Sequence, residues 1–595
     1  MLESYENSNF KSLVRKAYID PIKSVLAIDD QYYSLDGLLD SIQRNTHLTE
    51  NTELSRQLET LRMVRSRNWL ADMHDGQGDP TIFERLHQCD LLLLDYHLDK
   101  ANPDDPEQAL NILSKLNENH HFNLVIVYTA AENLKEVRTE IFSKLSSDES
   151  NIFNIEKEYI NDLIKEWEEE GESYTEEMLE KISKADLELA LTKPSTLNDD
   201  ETFEALFTPI ELILDSNEIQ LPCEEKNKLY IKLLELKIQE CKSNGDFSGK
   251  ASVSRSDDVS PSIWLRTDKL FIAIVSKQEV SPSDLIDCLE NAIENWSPTC
   301  HRLLLSKIKQ ELDDNGQSFE NEILKCKYTN AGWLEQFTNT DEFGNGTHLT
   351  ISRLMEGLSS SLHQNKELND YANDLKQYIE LETFDKVMVK ESNDTFNSRE
   401  SSEAIKMHLN SYICSQQPVG KHLMPGHIIE WKENSTTEYF VCLTPACDLV
   451  PRTAKGWKER LGDIFPVKLL KLEPHEDHYH NAKGRRKLAG EIVTGNHLFL
   501  KIDSKIRGFS YSVDFKSNPH WEQCYVENRG KTSIENEELS ISLARTRFNP
   551  ASLCLDNRFF KCRVVGHLRY EYAVNLINKL GTSLTRVGLD FVNLN

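Results

Sequence analysis

The tightest constraint on the fold is six residues long: Asp90-Leu91-Leu92-Leu93-Leu94-Asp95. Four apolar residues between acids are too few for a helix, and they show no polar alternation. Successive side chains of a strand point to opposite faces. Four leucines in a row therefore need apolar cover on both faces, as in a strand inside a parallel sheet sandwiched between helices. The same texture recurs at Ser24–Ile28 (SVLAI), Asn123–Tyr128 (NLVIVY) and Leu270–Val275 (LFIAIV). Helical periods lie between these runs. Leu35, Leu38, Leu39 and Ile42 follow the first, and Ala109, Leu110, Leu113 and Leu116 stand behind Pro106, a residue suited to opening a helix. Residues 44–85 are polar and resist placement. Strands alternating with helices predict a doubly wound parallel α/β sheet.

The pattern breaks after Thr129. Residues 131–241 are helical and acidic in pattern, and residues 243–262, with seven serines, predict a flexible loop. Leu270–Val275 then supplies one more buried strand, and Pro282–Ile293 its helix. The reading is a five-stranded sheet spanning residues 20–295, interrupted by a helical insertion at 131–262. A helical connecting region at 296–399 follows, then an α+β or small β-barrel domain at 400–595. In that last part His427–Trp431 and Glu438–Leu443 predict a hairpin, Phe465–Leu470, His497–Ile502 and Phe509–Val513 further strands, and Tyr570–Leu580 a final helix. A chain of 595 residues accommodates about three or four domains.

Charge and motif content exclude several function classes. Net charge is −30, but residues 401–595 hold 27 Lys and Arg against 21 Asp and Glu, or +6. The remaining 41 against 77 leave −36 on residues 1–400, which repels nucleic acid and anionic membranes. No apolar run approaches the ~20 residues of a membrane span, and MLESYENSNF lacks the pattern of a signal peptide. Twelve cysteines without a CxxC pair read as reduced thiols, so a cytoplasmic location is expected. There is no GxxxxGK[ST], HExxH, GxSxG or strand-linked GxGxxG motif.

Chemistry in an open parallel sheet gathers at the carboxyl ends of its strands. Here those ends are Asp29 and Asp30, Asp95, Thr129, and Lys277. Three carboxylates at one sheet edge repel unless a cation joins them, and an all-oxygen ligand set favours Mg²⁺. Lys277 and Thr129 supply a point charge and a hydroxyl for a phosphate. Taken singly, an Asp-Asp pair is usually a solvated turn and a threonine after a strand a helix cap. Their order on successive strand ends makes the joint reading.

In that order, IDD, LLLLDYHL, YTA and VSK, the constellation resembles the two-component receiver domain. The resemblance covers about residues 20–130 and 263–295. It implies that Asp95 accepts phosphate from a phosphohistidine of a partner histidine kinase. It further implies that Asp29, Asp30, Asp95 and the His97 carbonyl hold Mg²⁺, and that Thr129, Ala130 and Lys277 bind the phosphoryl group. Three departures stand out. Thr129 and Lys277 are separated by 147 residues, Gln278 replaces the proline usual after the lysine, and Ile274 stands where the aromatic switch residue is usual. The interrupted layout is similar to the receiver-only regulators of Detocs anti-phage defence systems. There an effector protein shares the kinase, and the second regulator acts as a phosphate sink. Two other readings stay open: a switch that releases a C-terminal module for a protein or nucleic-acid partner, and a degenerate docking scaffold.

The last third carries weaker signals. Cys442 and Cys447 have loose spacing for zinc, and a strand cysteine followed by a turn cysteine is the plainer reading. His475, His478 and His480, and the run Lys483-Gly484-Arg485-Arg486-Lys487, read as solvated surface, as does the acidic helix around Tyr174.

Overall fold

The computed structural model describes residues 9–34, 52–76, 88–147, 157–338, 345–381, 399–449, 462–474, 497–511 and 520–584, apart from short gaps, together with Gly37, Arg85, Leu86 and Leu197. The chain divides into two compact units, residues 1–336 with 349–391, and residues 337–348 with 392–595. The helix expected near 35–42 lies outside the described residues, Gly37 aside.

The first unit contains β1 (Ser24–Ile28), α1 (Thr52–Ser66), β2 (Leu70–His74), β3 (Leu91–Leu94), α2 (Glu107–Asn117) and β4 (Asn123–Thr129). Six helices follow: α3 (Leu134–Leu145), α4 (Glu158–Glu170), α5 (Tyr174–Glu180), α6 (Lys184–Thr192), α7 (Asp200–Ser216) and α8 (Cys223–Ser243). Then come β5 (Ser254–Arg255), β6 (Ile263–Arg266), β7 (Leu270–Ser276) and α9 (Leu285–Trp296). The sheet order is β2-β1-β3-β4-β7-β6-β5. Its first five strands are parallel, with Thr129 of β4 in register with Ser276 of β7 despite their separation in sequence.

The sheet holds seven strands, not five. β6 pairs antiparallel with β7, and β5 with β6, so part of the serine-rich stretch read as a loop is an edge strand. Neither strand announces itself, because Ser254–Arg255 has no apolar side chain and Ile263–Arg266 has only three apolar residues before a charged one. β2 was hidden for a related reason. It is an edge strand whose Leu70 is 76% exposed, so no buried period marks it.

Alternation along the strands builds two cores. Leu26, Leu92, Leu94, Val125, Val127 and Ile272 share one cluster with α2, α3 and residues of α4–α8, among them Trp167, Phe207 and Tyr230. Val25, Leu91, Leu93, Leu124, Ile126 and Phe271 share the other with Phe10–Ile19, with Met63 and Val64 of α1, and with Leu285, Leu289 and Ile293 of α9. Each buried leucine contributes about 1.5–3 kcal/mol of transfer free energy. The four-leucine strand is thus anchored from both sides, which fixes where its terminal aspartate stands. α10 (Cys300–Leu324), α11 (Lys327–Thr338), α12 (Asn345–His363) and α13 (Lys366–Leu381) follow. α13 belongs to the second core through Tyr371, Leu375 and Tyr378. Tyr174, read as solvated, packs its ring edge-on against Trp167 with centroids 5.8 Å apart.

The second unit begins with α14 (Arg399–Cys414) and β8 (Ser415–Gln416). Next come β9 (His427–Glu433), β10 (Thr436–Cys442), β11 (Phe465–Pro474), β12 (His497–Ile502) and β13 (Lys505–Tyr511). β14 (Trp521–Val526), β15 (Ser533–Glu535), β16 (Glu538–Asn549), β17 (Cys554–Leu568) and α15 (Tyr570–Leu584) complete it. β9 and β10 form the expected hairpin. Because β10 also pairs with β11, the path β10-β9-β17-β16-β14-β11 closes into a six-stranded antiparallel barrel. Ile429, Trp431, Phe440, Val467, Leu469, Val526, Leu543 and Val564 form one core cluster of this unit, drawn from all six strands. Closure gives each of these six strands a neighbour on both sides.

Candidate functional site

The polar strand ends of the first unit are held by ladder hydrogen bonds that continue one residue beyond the strands. The Asp29 N–H donates to the His74 carbonyl at 3.1 Å, the Asp95 N–H to Ile28 at 2.8 Å, and the Lys277 N–H to Thr129 at 2.7 Å. The backbones that carry the chemistry therefore belong to the sheet and not to loose loops. β1 and β3, neighbours in the sheet, lie where the winding of the fold reverses, the place where such sheets bind ligands.

Lys277 closes the cluster. Its Nζ donates to Asp29 Oδ2 at 2.7 Å and to Asp95 Oδ2 at 2.8 Å, and the three side chains are only 5–7% exposed. The Tyr128 ring lies with its centroid 5.9 Å from the same ammonium. Asp29 Oδ1 accepts the Gln31 N–H at 3.0 Å, which orients its carboxylate. Asp29, Asp30 and Asp95 each present an oxygen within 4.8 Å of the others, with Asp30 the most accessible of the three.

Asp29 and Asp95 share one ammonium beside the third carboxylate of Asp30, in a place where water screens poorly. Burial pushes the Asp95 carboxyl up to about 6, opposed by Lys277 and reinforced by Asp29. Burial would lower Lys277, but Asp95 and Asp29 outweigh it and raise its pKa, so it is an ammonium at any physiological pH. Three clustered carboxylates and a donor set of oxygens alone fit a hard divalent cation such as Mg²⁺. Among the described residues this is the one group of three or more metal-capable side chains.

The other expected residues surround this cluster. Thr129 is fully buried at the end of β4, where its hydroxyl accepts the Ala131 N–H at 3.1 Å and keeps its own proton for donation. Ala130 is exposed, and its carbonyl accepts from Gln278 Nε2 at 3.4 Å. His97 is half-buried two residues beyond Asp95, its ring edge-on to Tyr96 at 5.0 Å. Ile274 is buried in the first core, in register with both Val127 and Ile263. Sequence reasoning missed Tyr128, whose hydroxyl donates to the Val280 carbonyl at 2.6 Å, and Tyr32, whose hydroxyl meets Thr60 Oγ1 at 3.1 Å. Tyr128 read as one more apolar strand residue, and nothing in its neighbours distinguishes it.

The C-terminal candidates do not assemble. Cys442 is fully buried in the barrel, whereas Cys447 is exposed on the short helix Ala446–Leu449. Residues 475–487, with the three histidines and the basic run, lie outside the described residues.

Residues 21–170 match the family model described as the response receiver domain. The matched span carries Asp29, Asp30, Asp95, His97, Thr129 and Ala130. Lys277 lies beyond it and reaches the site only because β7 pairs with β4. No curated protein and no solved structure matches the chain. A receiver domain is the phosphate-accepting module of two-component response regulators, and in general a histidine kinase is its partner.

Proposed function

We propose that this chain is a response regulator whose receiver takes a phosphoryl group on Asp95 from a partner histidine kinase, and that it serves as a phosphate sink in a cytoplasmic anti-phage defence system of the Detocs type. The observation that carries phosphate acceptance is the Lys277 ammonium bridging Asp29 and Asp95 at 2.7 and 2.8 Å on adjacent strand ends. An ionised Asp95 oxygen attacks phosphorus, an O–P bond forms as the N–P bond to the kinase histidine breaks, and the electron pair leaves on the imidazole nitrogen. Lys277 then turns its charge to the phosphoryl oxygens, and Thr129 donates its hydroxyl proton to one of them. Asp29, Asp30, Asp95 and the His97 carbonyl would hold Mg²⁺, which supplies positive charge against the phosphoryl oxygens.

Two features favour a sink over a switch. The aromatic of the usual switch is replaced by the buried Ile274, and β7 is no longer a sheet edge because β6 pairs along it. Phosphorylation can shift a conformational equilibrium only through contacts that differ between the two states. With the strand locked on both sides and no ring to swing, few such contacts exist. The competing reading is a switch acting through the barrel unit toward a protein or nucleic-acid partner, which the +6 charge of residues 401–595 tolerates.

Incubation with the kinase of the same system and Mg²⁺, followed by mass spectrometric mapping, tests acceptance. Asp95→Asn should abolish incorporation, and labelling at the wild-type level in that variant would refute the assignment. In cells the same variant should make the system over-responsive by leaving more phosphate for the effector that shares the kinase. A silenced response, with fold and expression intact, would select the switch instead.

A further inference from the structure

On the outside of the barrel, β15, β16 and β17 meet the turn at Asn528–Gly530 around a cleft of about 670 Å³. That is within the roughly 300–1,000 Å³ range of small-molecule sites. Among the described residues, Arg529, Lys531 and Lys561 line it with the carboxylate of Asp463. Arg529 is 7% exposed and its Nε donates to Asp463 Oδ1 at 2.9 Å, so a nearly buried guanidinium is aimed by a carboxylate. Thr532, Ser533, Ser540 and Ser542 add hydroxyls. Three of these stand on paired strands, with Ser533 opposite Ser540 and Ser542 opposite Lys561. Among the described residues the lining holds no aromatic side chain.

The backbone is strained at this place. Asn528, Arg529 and Gly530 have successive positive φ values of 51°, 53° and 81°. Left-handed geometry at a non-glycine residue costs on the order of 1–3 kcal/mol and concentrates at ligand-binding sites. The strain is held by the Arg529 N–H donating to the Asp463 carbonyl at 2.7 Å and by the His422 ring packed under Gly530. A β-carbon on Gly530 would stand 3.0 Å from His422 Cε1.

From this combination we infer that the cleft binds a small phosphorylated polyhydroxy ligand, of the sugar-phosphate class. The cations take the phosphate, and the row of hydroxyls takes the hydroxyl groups of the sugar. The described lining offers no aromatic platform on which a nucleobase would stack. All of these lining residues belong to the second unit.

Calorimetric titration of the full chain without divalent cation tests the inference, using ribose 5-phosphate, ribose and inorganic phosphate as separate probes. Ribose 5-phosphate should bind saturably and about tenfold or more tighter than either fragment. The exposed double variant Lys531→Gln/Lys561→Gln should weaken it by about tenfold or more while leaving the circular dichroism spectrum unchanged. Failure of ribose 5-phosphate to bind would overturn the inference. So would an affinity unchanged in the double variant, or inorganic phosphate binding as tightly as the sugar phosphate.

Discussion

Asp95→Asn should stabilise the α/β unit at neutral pH, although it removes the residue on which the proposed function depends. The folded carboxyl titrates at about 6 against an ordinary 3.8, mainly through burial. At about 1.36 kcal/mol per unit, that shift corresponds to roughly 3 kcal/mol. The sign follows from proton linkage. A carboxyl raised on folding binds its proton more tightly in the native state, so its favourable contribution is full below about pH 4 and is lost as pH rises through 6. Above that, the ionised group burdens the fold. Asparagine preserves the shape and still accepts from Lys277 but carries no charge, while Lys277 keeps Asp29 as its counter-ion at 2.7 Å. Loss of one charge partner for Lys277 takes back part of the gain, so a net of about 1–3 kcal/mol is expected near pH 7.5. At about 2.1 cal/mol/K per residue, a unit of this size shifts only a little over 1 °C per kcal/mol, so the transition should rise by about 1–4 °C. Scanning calorimetry without divalent cation, from about pH 4.5 to 8, should show the two proteins converging at the acid end as Asp95 protonates. Saturating Mg²⁺ should raise the wild-type transition and close the gap from the other side. Parallel pH profiles, or a variant less stable at every pH, would refute the electrostatic account of the site.

Other expectations test the supporting structure. A β-carbon on Gly249 would fall 2.0 Å from the Leu145 carbonyl oxygen, so Gly249→Ala must displace backbone and should lower the unfolding midpoint of the first unit in urea. Glu188 is fully buried and its Oε1 lies 2.8 Å from Arg138 Nε and 3.3 Å from Arg255 Nε. Glu188→Gln leaves two cations without this counter-charge and should cost about 3–5 kcal/mol by denaturant titration; a loss below about 1 kcal/mol would show that the cluster is well hydrated. Burial pushes the thiols of Cys442, Cys524 and Cys562 up to about 11, 12 and 12, whereas Cys447 is exposed. Maleimide mapped by mass spectrometry should modify Cys447 in the native protein and the other three only after denaturation. Ile274→Tyr forces a ring into a filled core and should destabilise by about 1–3 kcal/mol without creating a switch, as judged by an unchanged difference in hydrogen exchange between phosphorylated and unphosphorylated protein.

What one chain of residues could declare about itself was local burial and the chemistry at its ends. Leu91–Leu94 has no polar face, so it had to be a doubly covered strand, and Asp95 had to stand at its carboxyl end. The same logic puts Asp29, Thr129 and Lys277 at the carboxyl ends of their strands. β2 and β5 escaped it because an edge strand with exposed or polar residues leaves no period to read. Partner choice between strands was decided elsewhere. That β7 lies against β4 and carries Lys277 within 2.8 Å of Asp95, that β6 covers the far edge of β7, and that β10 closes the barrel onto β11 are outcomes of long-range pairing. Backbone hydrogen bonds between strands are chemically alike, so sequence pattern cannot say which edge meets which. The packing of two faces at once makes that selection, and with it the convergence of an ammonium and three carboxylates that no single segment contains.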